Sequence, residues 1–323
     1  MGYLVPESQR RTLAELTDRL DLAAGDTRAK RSAFWMMLVL SAVIAISGVI
    51  GDSTATVIGA MIVAPLSIPI LGIALGIVAA RAALLLRSVL FVAAGVVIVV
   101  ALGWLFAQLL PNPVGVLSNT QVSGRTSPKL MDLTAAVATG LVAAVAIVRR
   151  DVGDVLPGVA IAISLVPPLG VVGVCLGSGA PALALGAFVL FASNVVAMVI
   201  TATIVLLLTG YQHDARAAGA RRLHAYLVLA AALALITMPL IVNSLSTLWA
   251  EQIADAARVW LHDDPHAQVL DVTVHGRTAT ITILSTDPMP PLPALQSAVD
   301  DLVPWNLDLA VVHNVGGRID HPD

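Results

Sequence analysis

Pro65, Pro69, Pro167 and Pro168 carry the most direct chemical consequence in this sequence, because each falls near the middle of a long apolar run. Proline lacks an N–H and its ring clashes with the carbonyl four residues earlier. The backbone carbonyls of Met61, Pro65, Ile163 and Ser164 would therefore lose their helical partners. In lipid an unsatisfied backbone group costs several kcal/mol, so such breaks must face protein or a wet cavity. With the hydroxyls of Ser67 and Ser164 and the flanking Pro69, Pro167 and Pro168, these groups form a candidate solute site at mid-depth. The competing reading is a pair of tolerated kinks that serve packing alone.

Asn194 is the other side chain that asks for an explanation. Its amide needs hydrogen-bond partners inside an apolar run, as glue between helices or as cavity lining. Asp52 and Asp151 occupy matched positions and are candidate gates. Asp52 also suits the N-cap of the helix that follows it, and Asp154 that of a later one. No Asp, Glu, Lys, Arg or His lies at the centre of an apolar run, which argues against a proton pump working through a buried carboxylate. His262 and His266 have i, i+4 spacing, but Pro265 between them favours a loop over a metal site. No nucleophile–base order, phosphate loop or dinucleotide fingerprint is present. The reading is a non-enzyme with no metal and no cofactor.

The elements that must position these residues are membrane helices. Hydrophobic residues make up 58% of the chain and charged residues 12%, with a mean hydropathy of +0.89. A soluble domain averages roughly 45–50% apolar and 25% charged. The lipid bilayer is thus the principal partner. A net charge of −3 without a basic block speaks against nucleic acid. The single cysteine, Cys175, excludes a disulfide framework.

Seven runs reach the roughly 17–25 residues a crossing requires, or nearly so: Ser32–Ile50, Thr54–Ala80, Ser88–Leu110, Leu133–Val148, Val155–Leu176, Pro181–Thr209 and Leu223–Val242. If all seven cross, thirteen Lys and Arg fall on the N-terminal side, in 1–31, 81–87, 149–150 and 216–222; the opposite loops hold only Arg125 and Lys129. The positive-inside rule then makes the N-terminus cytoplasmic, in a multi-pass plasma-membrane protein. Glu7–Ala24 reads as an amphipathic helix with Leu13, Leu16 and Leu20 on one face, lying along the inner surface or forming a charged tail.

After about Trp249 the pattern changes to strands at Val269–His275 and Thr278–Leu284, a helix bearing Leu292, Leu295, Val299 and Leu302, and a strand Leu307–His313. The expected architecture is an all-α polytopic membrane domain with a small C-terminal α+β domain. Its parts are an N-terminal segment 1–31, a three-helix repeat 32–110, an outer loop 111–130, a second repeat 131–210, a basic loop and seventh helix 211–248, and a soluble domain 249–323. An odd number of crossings places that domain outside the cytoplasm.

The repeat is read from the residues. Gly59, Ile62, Leu66 and Pro69 meet Gly158, Ile161, Leu165 and Pro168 at one offset, and Asp52 meets Asp151. A two-residue insertion then aligns Gly72 and Gly76 with Gly173 and Gly177, and Val89–Phe91 aligns with Val189–Phe191. Three crossings per half make this an inverted repeat. The segments Val57–Pro69 and Leu156–Pro168 resemble the two signature segments of the bacterial hydrophobic family known as domain of unknown function 389, over about residues 32–210. That resemblance implies a polytopic membrane fold and no substrate or catalytic residue.

Two functions compete. One is a transporter or facilitator of a small solute, neutral or anionic, or a channel of the same design. The other is a membrane-anchored sensor or scaffold whose extracytoplasmic domain binds a ligand or partner. Glycine-rich faces permit self-association without fixing a number of subunits.

Overall fold

The computed structural model describes residues 5–109, 118–152 and 165–211. Beyond these it describes residues 237–238, 241, 245, 248–261, 267–275, 278–285, 289–300, 302–303 and 307–315. Several expectations therefore lie outside the described residues: Ile163, Ser164, Asp154, the first half of the fifth run, nearly all of the seventh, the histidines at 262 and 266, and the turn at 276–277. The chain divides into two compact units, Met1–Pro239 and Leu240–Asp323.

The first unit opens with a 3₁₀ turn at Glu7–Gln9 and helix α1, Leu13–Leu20. Thr12 and Glu15 close a capping box on α1, each side chain accepting from the other residue's backbone N–H. This segment is no surface tail. Leu16 and Leu20 are fully buried, Arg81 donates to the Thr17 hydroxyl at 2.9 Å, and Arg150 reaches both Glu15 carboxylate oxygens at 3.0 Å.

Helix α2 spans Thr27–Ile50, α3 Thr54–Val63, α4 Ser67–Val78 and α5 Ala82–Leu109. After α6, Thr120–Thr126, come α7, Leu130–Val148, α8, Val166–Gly177, and α9, Pro181–Leu208. Among the described residues, four helices (α2, α5, α7 and α9) are long and apolar enough to cross a membrane, and α3 with α4 forms a pair bent by 48°. Helix α8, at 12 residues, is apolar but short. It rises about 18 Å, against a hydrocarbon core of about 30 Å.

Burial follows from that shortfall. Nearly all of α4 and α8 is buried, and each packs against both α5 and α9. The long helices carry the exposed apolar side chains, among them Leu40, Leu90, Val97, Leu185 and Phe188. Broken backbone at membrane depth is tolerated where protein surrounds it. Glycine permits the closest approach: a Cβ on Gly173 of α8 would lie 2.4 Å from the Val100 carbonyl oxygen and 2.7 Å from the Gly103 Cα of α5.

The two halves correspond at a single offset. Helices α4 and α8 start at 67 and 166 and end at 78 and 177; α5 and α9 start at 82 and 181 and end at 109 and 208. Every difference is 99. The intervening turns match bond for bond. Arg81 N–H donates to the Gly76 carbonyl and Ala80 N–H to that of Ile77; Ala180 N–H donates to that of Cys175 and Gly179 N–H to that of Leu176. These are Schellman caps with Ala80 and Gly179 in the left-handed position, at φ of 50° and 72°. The expected two-residue insertion is thus corrected: Gly72 and Gly76 correspond to Val171 and Cys175. Likewise Phe91 corresponds to Leu190, one residue away from the match to Phe191 suggested by a small apolar alphabet.

The second unit holds a helix over residues 248–260, α10, strands β1, Gln268–His275, and β2, Thr278–Ser285, helix α11, Leu292–Asp300, and strand β3, Asp308–Val315. The sheet order is β1-β2-β3, with β2 antiparallel to β1 and parallel to β3. Ala279, Ile281 and Ile283 meet Leu295, Val299, Ile253 and Ala257 in one core. Strict alternation would put Leu270 on one face with Val272 and Val274; a register shift between Val269 and Asp271 instead sets Val269 with them against the core and leaves Leu270 52% exposed.

Candidate functional site

The first proline break is local, and the two carbonyls expected to be free there are hydrogen-bonded. The chain leaves the helix at Ala64–Leu66. Ala64 N–H donates to the Met61 carbonyl at 3.4 Å and Ile68 N–H to the Pro65 carbonyl at 3.2 Å. Met61 and Pro65, expected to offer freed carbonyls, therefore spend them on i→i+3 bonds within the chain. Met61 is partly buried against the core and Ser67 is 7% exposed.

Pro69 lies in the first turn of α4, and Pro167 and Pro168 lie in the first turn of α8, all buried. A helix's first N–H groups lack intrahelical acceptors, so proline there removes donors that would be orphaned. With prolines at the second and third positions, Val166 is the one residue of the first three in α8 with an N–H to give. The anion-binding potential of a half-helix N-terminus is correspondingly reduced.

The matched aspartates do different work. Asp52, at φ 49°, accepts from the Thr120 hydroxyl at 2.6 Å and from Gln121 N–H at 3.0 Å. These bonds, the Thr120 hydroxyl first, hold its carboxyl below the usual range. Asn119 adds a bond to the Val49 carbonyl at 2.8 Å. Asp52 thereby ties α6 to the α2–α3 corner. It is not the N-cap of α3; Ser53 is, accepting from Thr56 N–H. Asp151 pairs with Arg149 at 2.6 Å, which lowers the carboxyl's pKa and raises the guanidinium's.

Polar side chains converge elsewhere. Arg125 of α6, Asp132 and Thr139 of α7 and Asn194 of α9 line a cavity of about 180 Å³ with Leu190 and Met198. None of the proline-break residues is among its described lining. Asn194 is 5% exposed and stands at the midpoint of α9, so the cavity reaches from the α6 end of the helices to their mid-depth. Arg125 donates to the backbone and side-chain oxygens of Gln121 at 2.8 and 3.0 Å; partial burial lowers its pKa. The equivalent positions of the first half are occupied by packed side chains. Phe91 stacks with Phe34 and Trp35 at 5.5 and 5.6 Å, and a Cβ on Gly95, the counterpart of Asn194, would meet Leu66 at 2.9 Å. Arg125 and Asp132 were missed as site residues because they read as loop and helix-end groups, and Thr139 because a threonine in an apolar run carries no distinct signal.

Apolar helices, two of them short and buried among long ones, give the chain the make-up of a membrane protein. Residues 61–200 match the profile of the family described as Domain of unknown function (DUF389). An uncharacterized protein of Methanocaldococcus jannaschii is 31% identical over 170 residues, covering 53% of this chain and 52% of that relative. The chain thus spans about half the length of the curated relative it matches. That relative is archaeal, so the expected restriction to bacteria does not hold for it. No solved structure matches.

Proposed function

We propose that the helical unit is a transporter or facilitator of a small solute, built as two inverted three-span halves followed by a seventh span. One observation carries the reading. The α4–α5 turn precedes the first residue of α5, whereas Gln108, next to its last residue, donates to the Gly177 carbonyl of the α8–α9 turn at 2.8 Å. The corresponding turns thus sit at opposite ends of a 28-residue helix, about 42 Å apart. Each short helix runs about 18 Å inward from its turn, which brings the first residues of α4 and α8 to mid-depth. Inverted halves with interrupted helices are a recurrent transporter plan.

Arg81, Arg87 and Arg150 meet the N-terminal segment at one end, and the positive-inside rule makes that end cytoplasmic in the plasma membrane. The cavity ending at Asn194 then opens outward. It would admit a solute of a few heavy atoms, since water occupies about 30 Å³. Asn194, Thr139, Arg125 and Asp132 supply both donors and acceptors, which favours a polar, uncharged or zwitterionic solute.

The test is shrinkage of proteoliposomes followed by stopped-flow light scattering under gradients of urea, glycerol and glycine. At least one solute should enter faster than in protein-free vesicles, and Asn194→Leu should slow it about tenfold, a loss of roughly 1.4 kcal/mol in the barrier step. Protein-free rates for all three, or an indifferent Asn194→Leu, would remove the assignment. Impermeant thiol labelling of Arg81→Cys and Ser178→Cys should occur from opposite sides; same-side labelling ends the inverted reading.

A further inference from the structure

The cavity at the α6 end of the helices holds two opposite charges that do not meet. Arg125, in the last turn of α6, and Asp132, in the first turn of α7, both line it. None of the described ion pairs joins them. Neutral groups hold each one instead. Arg125 uses Nη1 alone, donating to the Gln121 carbonyl and side-chain oxygens. Gln121 is itself fixed: it is 5% exposed, its N–H donates to Asp52, and its Nε2 donates to the Thr54 hydroxyl at 2.8 Å. The guanidinium is thereby oriented, while no described hydrogen bond uses its Nε and Nη2 edge. Asp132 accepts the Lys129 N–H through Oδ2 at 2.7 Å, and no described donor reaches its Oδ1.

These open edges decide the ligand. Nε and Nη2 of a guanidinium form a planar fork that matches the two oxygens of a carboxylate. A carboxylate oxygen in turn accepts from an ammonium. An anion alone would lie near the Asp132 carboxylate, and a cation alone near the Arg125 guanidinium. In a partly buried site such like-charge approach costs more than it does in water. A neutral solute forgoes the charge-assisted bonds at both groups. A small molecule carrying both charges answers each. Away from the mouth the lining turns small and apolar, with Ala136, Leu190 and Met198. Thr139 lies seven residues further along α7 than Asp132, about 10 Å deeper. Within about 180 Å³, that floor takes a short side chain and excludes a long one.

We infer that this cavity selects a zwitterionic α-amino acid with a short side chain. Its carboxylate lies on the Arg125 fork, its ammonium on Asp132, and its side chain points towards Ala136, Leu190 and Met198. The inference rests on the solute-entry reading of the same cavity and narrows it to one substrate class. Arg125 and Asp132 become the specificity-determining pair.

The test is equilibrium binding of radiolabelled glycine and L-alanine to the full-length protein in neutral detergent, with acetate, ethylamine and urea as competitors. Both amino acids should bind saturably, and each competitor should displace them at least about tenfold less well than unlabelled glycine does. Arg125→Gln and Asp132→Asn should each weaken glycine binding about tenfold and should shift selectivity in opposite directions. Arg125→Gln should gain affinity for ethylamine, and Asp132→Asn for acetate; a merely structural role would weaken all ligands together. Arg125→Lys keeps the charge without the fork. It should weaken glycine binding several-fold without favouring ethylamine, and it decides the matter if Arg125→Gln does not fold. Lys129→Gln, at an exposed residue outside the described lining, should bind glycine as the unmodified protein does. Absence of saturable binding by either amino acid overturns the inference. So does displacement by urea or acetate as effective as that by glycine, or an equal loss in Lys129→Gln. Because binding is read without transport, the two readings fail separately. Urea or glycerol entry through a protein that binds no amino acid removes the substrate class and keeps solute entry. Bound glycine with protein-free rates for every solute keeps the site and removes transport.

Discussion

Asp52 shows how one carboxylate can be matched in sequence and distinct in role. It closes α2 in the left-handed conformation and accepts two hydrogen bonds from the start of α6. Its folded pKa is lowered, so the stabilisation it gives is present above its unfolded value, about 3.9, and is lost as pH falls through the depressed folded value. Asp52→Asn at neutral pH should therefore speed hydrogen exchange of the α6 amides, and acidification should do the same to the unmodified protein. Unchanged protection of residues 120–126 in the variant would show that Asp52 does not hold α6. Ala80 offers a prediction of the opposite sign. It stands at φ 50° where its counterpart Gly179 is glycine, and an L-residue pays roughly 1–2 kcal/mol for the left-handed region. Ala80→Gly should raise stability by about 1 kcal/mol, read as a higher unfolding temperature, and a drop would mean that its methyl group packs usefully.

At the scale of elements, the long helices were legible because an apolar run of twenty or more residues has few other fates. Thr27–Ile50, Ala82–Leu109 and Pro181–Leu208 lie within a few residues of the expected spans, differing where the first two helices begin ahead of the basic residues Arg31 and Arg87. The strands of the second unit were legible from alternation, except at Leu270, where a register shift invisible in the pattern reverses a side chain. Proline positions were plain in the sequence, but their consequence depends on where each helix starts. Pro69 falls in a first turn, so it removes a redundant donor and does not create the break, which lies at Ala64–Leu66. Pro69→Ala should accordingly change stability by less than about 1 kcal/mol and leave the bend in place; loss of the bend, seen as a changed distance between spin labels on α3 and α4, would restore Pro69 as its cause. The cavity at Asn194 was only partly legible. Its amide drew attention alone, while Arg125 and Asp132 resembled loop and cap residues, and only the packing of α6, α7 and α9 unites them.

For the whole molecule, the division into two compact units separates two solvents. The first unit turns apolar side chains outward and buries its short helices α4 and α8. The second follows the rule for water: β2 alternates buried Ala279, Ile281 and Ile283 with less buried Thr280 and Thr282, and α11 adds Leu295 and Val299 to the same core. Its polar links are internal as well, with Trp260 donating to the Pro291 carbonyl at 3.2 Å and Gln296 to that of Leu307 at 2.8 Å. The described residues of this core all belong to the second unit, yet domains of this size are only marginally stable, because little of their surface is removed from water. Residues 240–323 expressed alone should therefore give a cooperative thermal transition by circular dichroism. Ile281→Ala should cost about 2–5 kcal/mol, enough to abolish most of the stability of so small a domain. A fragment that melts without cooperativity would show that its core is completed by the helical unit, and removing it would then be expected to disturb solute entry as well.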